Sequence, residues 1–356
     1  MKRLPNLDVL RFVLATLVLM FHLPQLSRNQ GLPYFDDLPI FHRGIEAVYM
    51  FFVLSGFLII RLIYNEKLRG VFSIKKFYMR RILRIFPLYY LIVAFGFVFY
   101  QLILPILGIP FENNYNLVEG ILLCVFFMPN VFGSLYEPGG ILEILWSIGI
   151  EEQFYLLIAP LMFFIKPKRI FAVLVLLTVL YFVVFHTNGF EFLKRYKLVY
   201  FLVFVGGITA ILEIKLYLEF LKQSILLPLL IVILTILYFT TDILLFETSW
   251  LQNLVTSVLF SLFIHTLAHN NCGIEIKHKT INYFGTISYG IYMFHAIALN
   301  FVVFLFLKME FVSKLQDTLV VLLINILTFA ITILFAHFSY TNFESYFLQL
   351  KQKFRE

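Results

Sequence analysis

The sequence predicts an all-α, polytopic integral membrane protein with about ten transmembrane helices and both termini cytoplasmic. Three observations predict it. The chain is 61% hydrophobic and only 14% charged, with mean hydropathy +0.90, a composition foreign to soluble domains of this size. Apolar runs of about 15 to 25 residues recur along its whole length, close to the number needed to cross hydrocarbon as helix. Lysine and arginine are shared unevenly between alternate loops, as the positive-inside rule requires.

The first span covers about 7–26. It follows Met1-Lys2-Arg3, as a secretory signal would. Its apolar stretch carries Arg11 and His22, and no small-residue cleavage site follows, so it reads as a retained span. Further spans fall at about 45–63, 85–105, 146–165, 169–186, 198–212, 223–240, 248–268, 282–308 and 317–340. Segment 117–131 is apolar but short and is closed by Pro129-Asn130. It reads as an interfacial or re-entrant piece on the outer side. Counting it as a span would move Lys166, Lys168 and Arg169 outside.

With the N-terminus inside, few of the 28 lysines and arginines fall in outer loops: Arg28, Arg43, Lys194, Arg195, Lys197, Lys308 and Lys314. The Lys194, Arg195 and Lys197 group fits this scheme least well. Residues 1–340 make one membrane domain, and 341–356 a short basic cytoplasmic tail. Topology also accounts for the net charge of +7, so no nucleic-acid partner is inferred. Cys124 and Cys272 fall on opposite sides of the membrane and are not expected to pair.

Arg11 and His22 are the most costly residues in the first span. Eleven helical steps turn roughly 1100°, about 20° from a whole number of turns, so both side chains share a face. They lie about 16 Å apart along the axis. Ionisable groups at that depth mark functional sites, although Arg11 is near enough to one end to snorkel.

Four further constellations stand out. In residues 44–59, Glu46 enters the outer end of the second span, and Ser55 and Gly56 suit close helix packing. In residues 77–90, Arg80, Arg81 and Arg84 precede a span on the cytoplasmic side. Arg80 and Arg84 share a face and suit bidentate phosphate binding, or serve only to fix topology. At 146–155, Trp146 opens a span in which Ser147, Glu151 and Tyr155 stack on one face, with Glu152 adjacent. At 285–295, Ser288, Tyr292 and His295 share a face, and His295 lies near mid-membrane. No metal site is read from the sequence.

Together these segments resemble the membrane acyltransferase-3 family. The opening Leu7-Asp8-Val9-Leu10-Arg11, followed by His22, looks like the family's first motif. The strings F-F-V-L-S-G-F-L-I at 51–59 and R-R-x-x-R-I-x-P-L-Y-Y at 80–90 match intact. W-S-I-x-x-E at 146–151 and S-Y-x-I-Y-x-x-H at 288–295 each carry isoleucine for leucine. The closing motif is matched only by Phe343-Glu344-Ser345, without its proline. The family often has an acid directly before the F-F-V-L-S-G string, and here the nearest is Glu46.

The resemblance implies a membrane O-acyltransferase of the cytoplasmic (inner) membrane. It would use acetyl-CoA or another acyl-CoA as donor substrate, with no tightly bound cofactor. The acceptor would be a hydroxyl of a cell-surface polysaccharide, lipopolysaccharide or lipid-linked sugar. A fused extracytoplasmic hydrolase-like domain is not expected. A homo-oligomer or a periplasmic partner stays open, beside membrane lipids. Arg80, Arg81 and Arg84 would hold the donor phosphates, with Arg11 beside the pantetheine arm. His22 would be the general base or the carrier of an acyl-histidine, and Glu151 would orient it. Asp8, Glu46, Ser55, Trp146, Ser147, Glu152, Tyr155, Ser288, Tyr292 and His295 would support the site. A proton-coupled transporter is the rival reading of the same buried charges, disfavoured by the absence of a visible repeat. A non-catalytic assembly factor is a third.

Overall fold

The computed structural model describes residues 4–109, 111–269, 271–273 and 275–354. Met1, Lys2 and Arg3, and the last two tail residues, lie outside the described residues. The chain is 79% helical, with no strand among the described residues.

Each expected span finds a helix. These are α1 Leu7–Asn29, α2 Gly44–Leu68, α3 Ile74–Val98, α4 Trp146–Phe164, α5 Pro167–His186, α6 Tyr200–Ile214, α7 Leu226–Thr240, α8 Ser249–Ala268, α9 Ser288–Lys308 and α10 Asp317–Ser339. Seven helical stretches, through α1, α2, α3, α5, α8, α9 and α10, are long and apolar enough to cross a membrane. Helices α6 and α7 are apolar but shorter, and α4 carries two adjacent glutamates. Backbone groups in hydrocarbon must bond within their own segment, which is why apolar runs become helices here.

Four boundaries differ from the sequence reading. The expected span 282–308 divides into a short helix, Lys279–Thr286, and α9. Helix α3 starts at Ile74, so Arg80, Arg81 and Arg84 lie inside the helix rather than before it. Basic residues ended the hydropathy signal early, although they belong to the same helix. Segment 117–131 is two short helices, Leu117–Val125 and Pro129–Tyr136. Asn116 caps the first of them, accepting from the Val118 amide at 2.9 Å. The supposed tail is not detached. Helix α10 runs on through a π-helical turn at Tyr340–Glu344 into Ser345–Leu350, and this extension packs on α3.

Burial separates centre from rim. The apolar window of α2 is 67% buried, whereas that of α5 is 17%. Helix α2 packs most closely on α6, and α1 on α2 and α9. Two glycines set the α2–α6 distance. A Cβ on Gly56 would lie 1.9 Å from the Val203 carbonyl oxygen, and one on Gly206 would lie 2.0 Å from the Val53 carbonyl oxygen. Small residues let helices meet backbone to backbone where lipid supplies no hydrophobic drive. The packing reading of Gly56 is therefore the one the structure adopts.

Gly206→Ala should destabilise the bundle by about 1–3 kcal/mol through overpacking. Gly140→Ala, with nothing within 4 Å of the new atom, should stay within about 0.5 kcal/mol. Thermal unfolding in detergent measures both; equal melting temperatures would remove the role given to this contact.

Candidate active site

Five helices enclose a cavity of about 130 Å³. Helix α1 contributes Arg11, α2 contributes Ser55, and α3 contributes Arg81 and Arg84. Helix α4 adds Ser147, Glu151 and Tyr155, and α9 adds Ser288, Tyr289 and Tyr292. The polar faces of α4 and α9 thus turn toward one another. Ser147 Oγ and the Tyr292 hydroxyl are 2.6 Å apart, and Tyr292 donates to the Ile144 carbonyl at 2.9 Å. The hydroxyl of Ser288 turns back to the Gly285 carbonyl at 2.9 Å.

The arginines gather at one end. Arg11 and Arg84 lie within electrostatic reach of each other, with Glu151 and Asp8 nearby. Arg11 Nη1 bonds Asp8 Oδ1 at 2.7 Å. Arg81 stands over the Tyr155 ring at 5.8 Å, and Glu152, 4% exposed, is among its electrostatic neighbours. Glu344, on the extension of α10, also reaches Arg84 electrostatically and accepts from Ser339 at 3.0 Å. The sequence showed Glu344 only as part of an incomplete closing motif.

Arg80 is placed elsewhere. It makes two parallel bonds to Glu66, at 2.7 and 3.0 Å. Both residues are buried, and Arg80 does not line the cavity. One turn of α3 therefore splits its arginines: Arg80 ties α3 to α2, while Arg81 and Arg84 face the cavity. The i, i+4 pairing of Arg80 with Arg84 gave the wrong partner, because Glu66 satisfies Arg80 first.

The expected pairing of Glu151 with His22 is also replaced. Glu151 accepts from Ser55 and from Tyr155. The Ser55 bond joins α2 to α4, and the Tyr155 bond lies within α4. His22 instead bonds Gln25 at 3.2 Å through Nδ1. It stacks on His295 of α9, with ring centroids 5.3 Å apart. His295 is 1% exposed, and its Nδ1 contacts the Tyr292 carbonyl. A carbonyl only accepts, so the proton sits on His295 Nδ1 and its Nε2 is bare. That Nε2 has no hydrogen-bond partner among the described residues. By the same logic the Gln25 carbonyl oxygen places the His22 proton on Nδ1. Each of the stacked rings thus carries an unprotonated Nε2.

Trp146 meets Phe52 edge-on at 5.9 Å and carries the Lys197 ammonium over its ring at 4.6 Å. Lys197 lies within electrostatic reach of His22 and of Glu143. Loss of water lowers the Lys197 pKa, and Glu143 opposes that fall. Burial raises Glu143, opposed by the Gly139 amide and by Lys197. Lys197 has φ of 55°, the left-handed region, just past the short helix Glu191–Arg195. Glycine is ordinarily favoured there. The lysine was legible only as an exception to the charge asymmetry. Glu46, like Arg80, does not line the cavity. It pairs with Arg43 at 3.8 Å, and Arg43 in turn bonds Asp242 at 2.7 Å.

The family model described as an acyltransferase domain matches residues 4–337. An uncharacterized protein of Haemophilus influenzae is 31% identical over 160 residues, covering 42% of this chain and 62% of that protein. A peptidoglycan O-acetyltransferase of Listeria monocytogenes is 30% identical over 166 residues, covering 44% of this chain and 24% of that protein. A provisionally named O-acetyltransferase of Staphylococcus aureus is 24% identical over 385 residues, covering 98% of this chain and 58% of that protein. The chain thus spans less than two thirds of these relatives' own lengths. No solved structure matches it.

The two neighbouring arginines should behave oppositely. Arg80→Ala leaves Glu66 buried and unpaired, which costs about 3–5 kcal/mol. Arg81→Ala, at the cavity wall, should cost far less. Unfolding in detergent separates them, and equal losses would contradict the split.

Proposed function

We propose that this chain, which belongs to the acyltransferase-3 family, is an O-acyltransferase that moves an acetyl group from acetyl-CoA to a sugar hydroxyl. The acceptor in this reading is a polysaccharide, lipopolysaccharide or lipid-linked sugar of the cell envelope, and the enzyme sits in the inner membrane. One observation carries it: three arginines line a polar cavity within an apolar bundle, and a stacked pair of histidines lies beside Tyr292 of its wall. The O-acetyltransferase names of two relatives support the same chemistry.

In this reading the donor enters at the arginine end. Arg81, Arg84 and Arg11 bind its phosphates, for which guanidinium is well matched. The extended arm follows the cavity toward His22, over about 16 Å of helix. Glu151 is a positioning residue. It holds Ser55 and Tyr155, and so the ring beneath Arg81.

The acceptor hydroxyl meets His22, the more accessible of the two histidines. Its proton passes to His22 Nε2 as its oxygen attacks the thioester carbonyl. The carbon–sulfur bond then breaks, and the proton leaves with the CoA thiolate. His295 backs His22 and fixes its ring plane. Lys197 adds positive charge on the acceptor side.

His22→Ala should lower transfer by about 10²–10⁴-fold with insertion unchanged. Arg84→Ala should raise the KM for acyl-CoA more than it lowers kcat. Mass spectrometry of envelope glycans, with radiolabelled acetyl-CoA assays in vesicles, reads both. Full acetylation by His22→Ala would sink the mechanism.

Lys197→Gly should relax the left-handed backbone, keeping or raising stability by up to about 1 kcal/mol, while transfer falls. Unchanged transfer would remove Lys197 from the site.

A further inference from the structure

A second cluster of titratable side chains lies outside the cavity. Glu213 lies in the last turn of α6. His265 lies in the last turn of α8, and His269 directly follows that helix. One potential ligand atom from each of the three falls within 4.8 Å of the others. His265 is 2% exposed, and neither of its ring nitrogens has a hydrogen-bond partner among the described residues. A buried imidazole normally bonds at least one nitrogen, so this ring is aimed at something other than a protein group.

The glutamate divides its two oxygens. Oε1 accepts from Arg61 Nε at 3.1 Å, with Arg61 Nη2 at 2.8 Å. Oε2 faces His269 Nε2 at 3.1 Å, and neither atom has a hydrogen bond in that contact. Three possible donor atoms therefore converge, and of these His265 has no hydrogen-bond partner among the described residues.

We propose that Glu213, His265 and His269 bind one divalent transition-metal ion of the zinc class, tying α6 to α8. Two histidines at i, i+4 and one carboxylate form a donor set that zinc favours. Tetrahedral bonds of about 2.0–2.2 Å set neighbouring donors roughly 3.4 Å apart, near the His269–Glu213 separation. Two nitrogen donors argue against calcium and magnesium, which take oxygen. Arg61 orients the carboxylate from behind, as outer partners of metal ligands do. Three protein donors leave the fourth position to water. The histidine spacing was visible in the sequence, but Glu213 is far from it along the chain, and only the α6–α8 contact joins them.

The test uses full-length protein purified in detergent and stripped with chelator. Zinc chloride is added, the sample is dialysed, and retained metal is counted by mass spectrometry. One equivalent is expected, with a raised melting temperature. His265→Ala and His269→Ala should each bind on the order of tenfold more weakly or worse, whereas His278→Ala, exposed in a nearby loop, should bind as wild type does. Cobalt(II) in the unaltered protein should give the intense visible bands of a tetrahedral site, a readout that needs no variant to fold. No retained zinc in the wild type, equal retention by all variants, or a weak octahedral cobalt spectrum would each overturn the proposal. Acyl transfer is not the readout, so the outcome is independent of the proposed catalytic function.

Discussion

Hydrocarbon cannot solvate charge, and most of this bundle is arranged around that limit. Arg11, Arg81, Arg84 and Glu151 share one cavity rather than facing lipid. Elsewhere, as at Arg11, arginines pair across a helix boundary or one turn along. Arg11 has Asp8, Arg80 has Glu66, Arg61 has Glu213, and Arg43 has Asp242. Glu151 takes two hydroxyls. These pairings choose the helix neighbours as much as apolar packing does, because lipid tails offer helices little reason to prefer one another.

The same limit explains why polar groups from five helices gather on one cavity. Polar residues on each helix recur about one turn apart, as Ser147, Glu151 and Tyr155 do on α4. On α9, Ser288 and Tyr292 likewise lie one turn apart and line the same cavity.

Much of this was readable in the sequence, because periodicity and hydropathy are local. All ten helices appear where apolar runs stand, and the three α4 residues that share a face do line the cavity. What was not readable is which helix lies against which. His22 and His295 were each picked out as mid-membrane histidines, yet their stacking depends on α1 meeting α9. Arg80 looked like its neighbours until Glu66, fourteen positions earlier, took it out of the site. Glu151 was assigned to the wrong partner for the same reason. Lys197 registered only as a charge on the unexpected side.

The glycine contacts have a mechanical consequence. Helices α2 and α6 meet through carbonyl oxygens and α-carbons at Gly56 and Gly206, with the Ile60 side chain against Gly207. Contact that close leaves little room for one helix to slide along the other. Ser55 is the next residue before Gly56 and donates to Glu151 of α4. The backbone contact at Gly56 therefore fixes where Ser55 stands, and with it one hydrogen bond across the cavity wall.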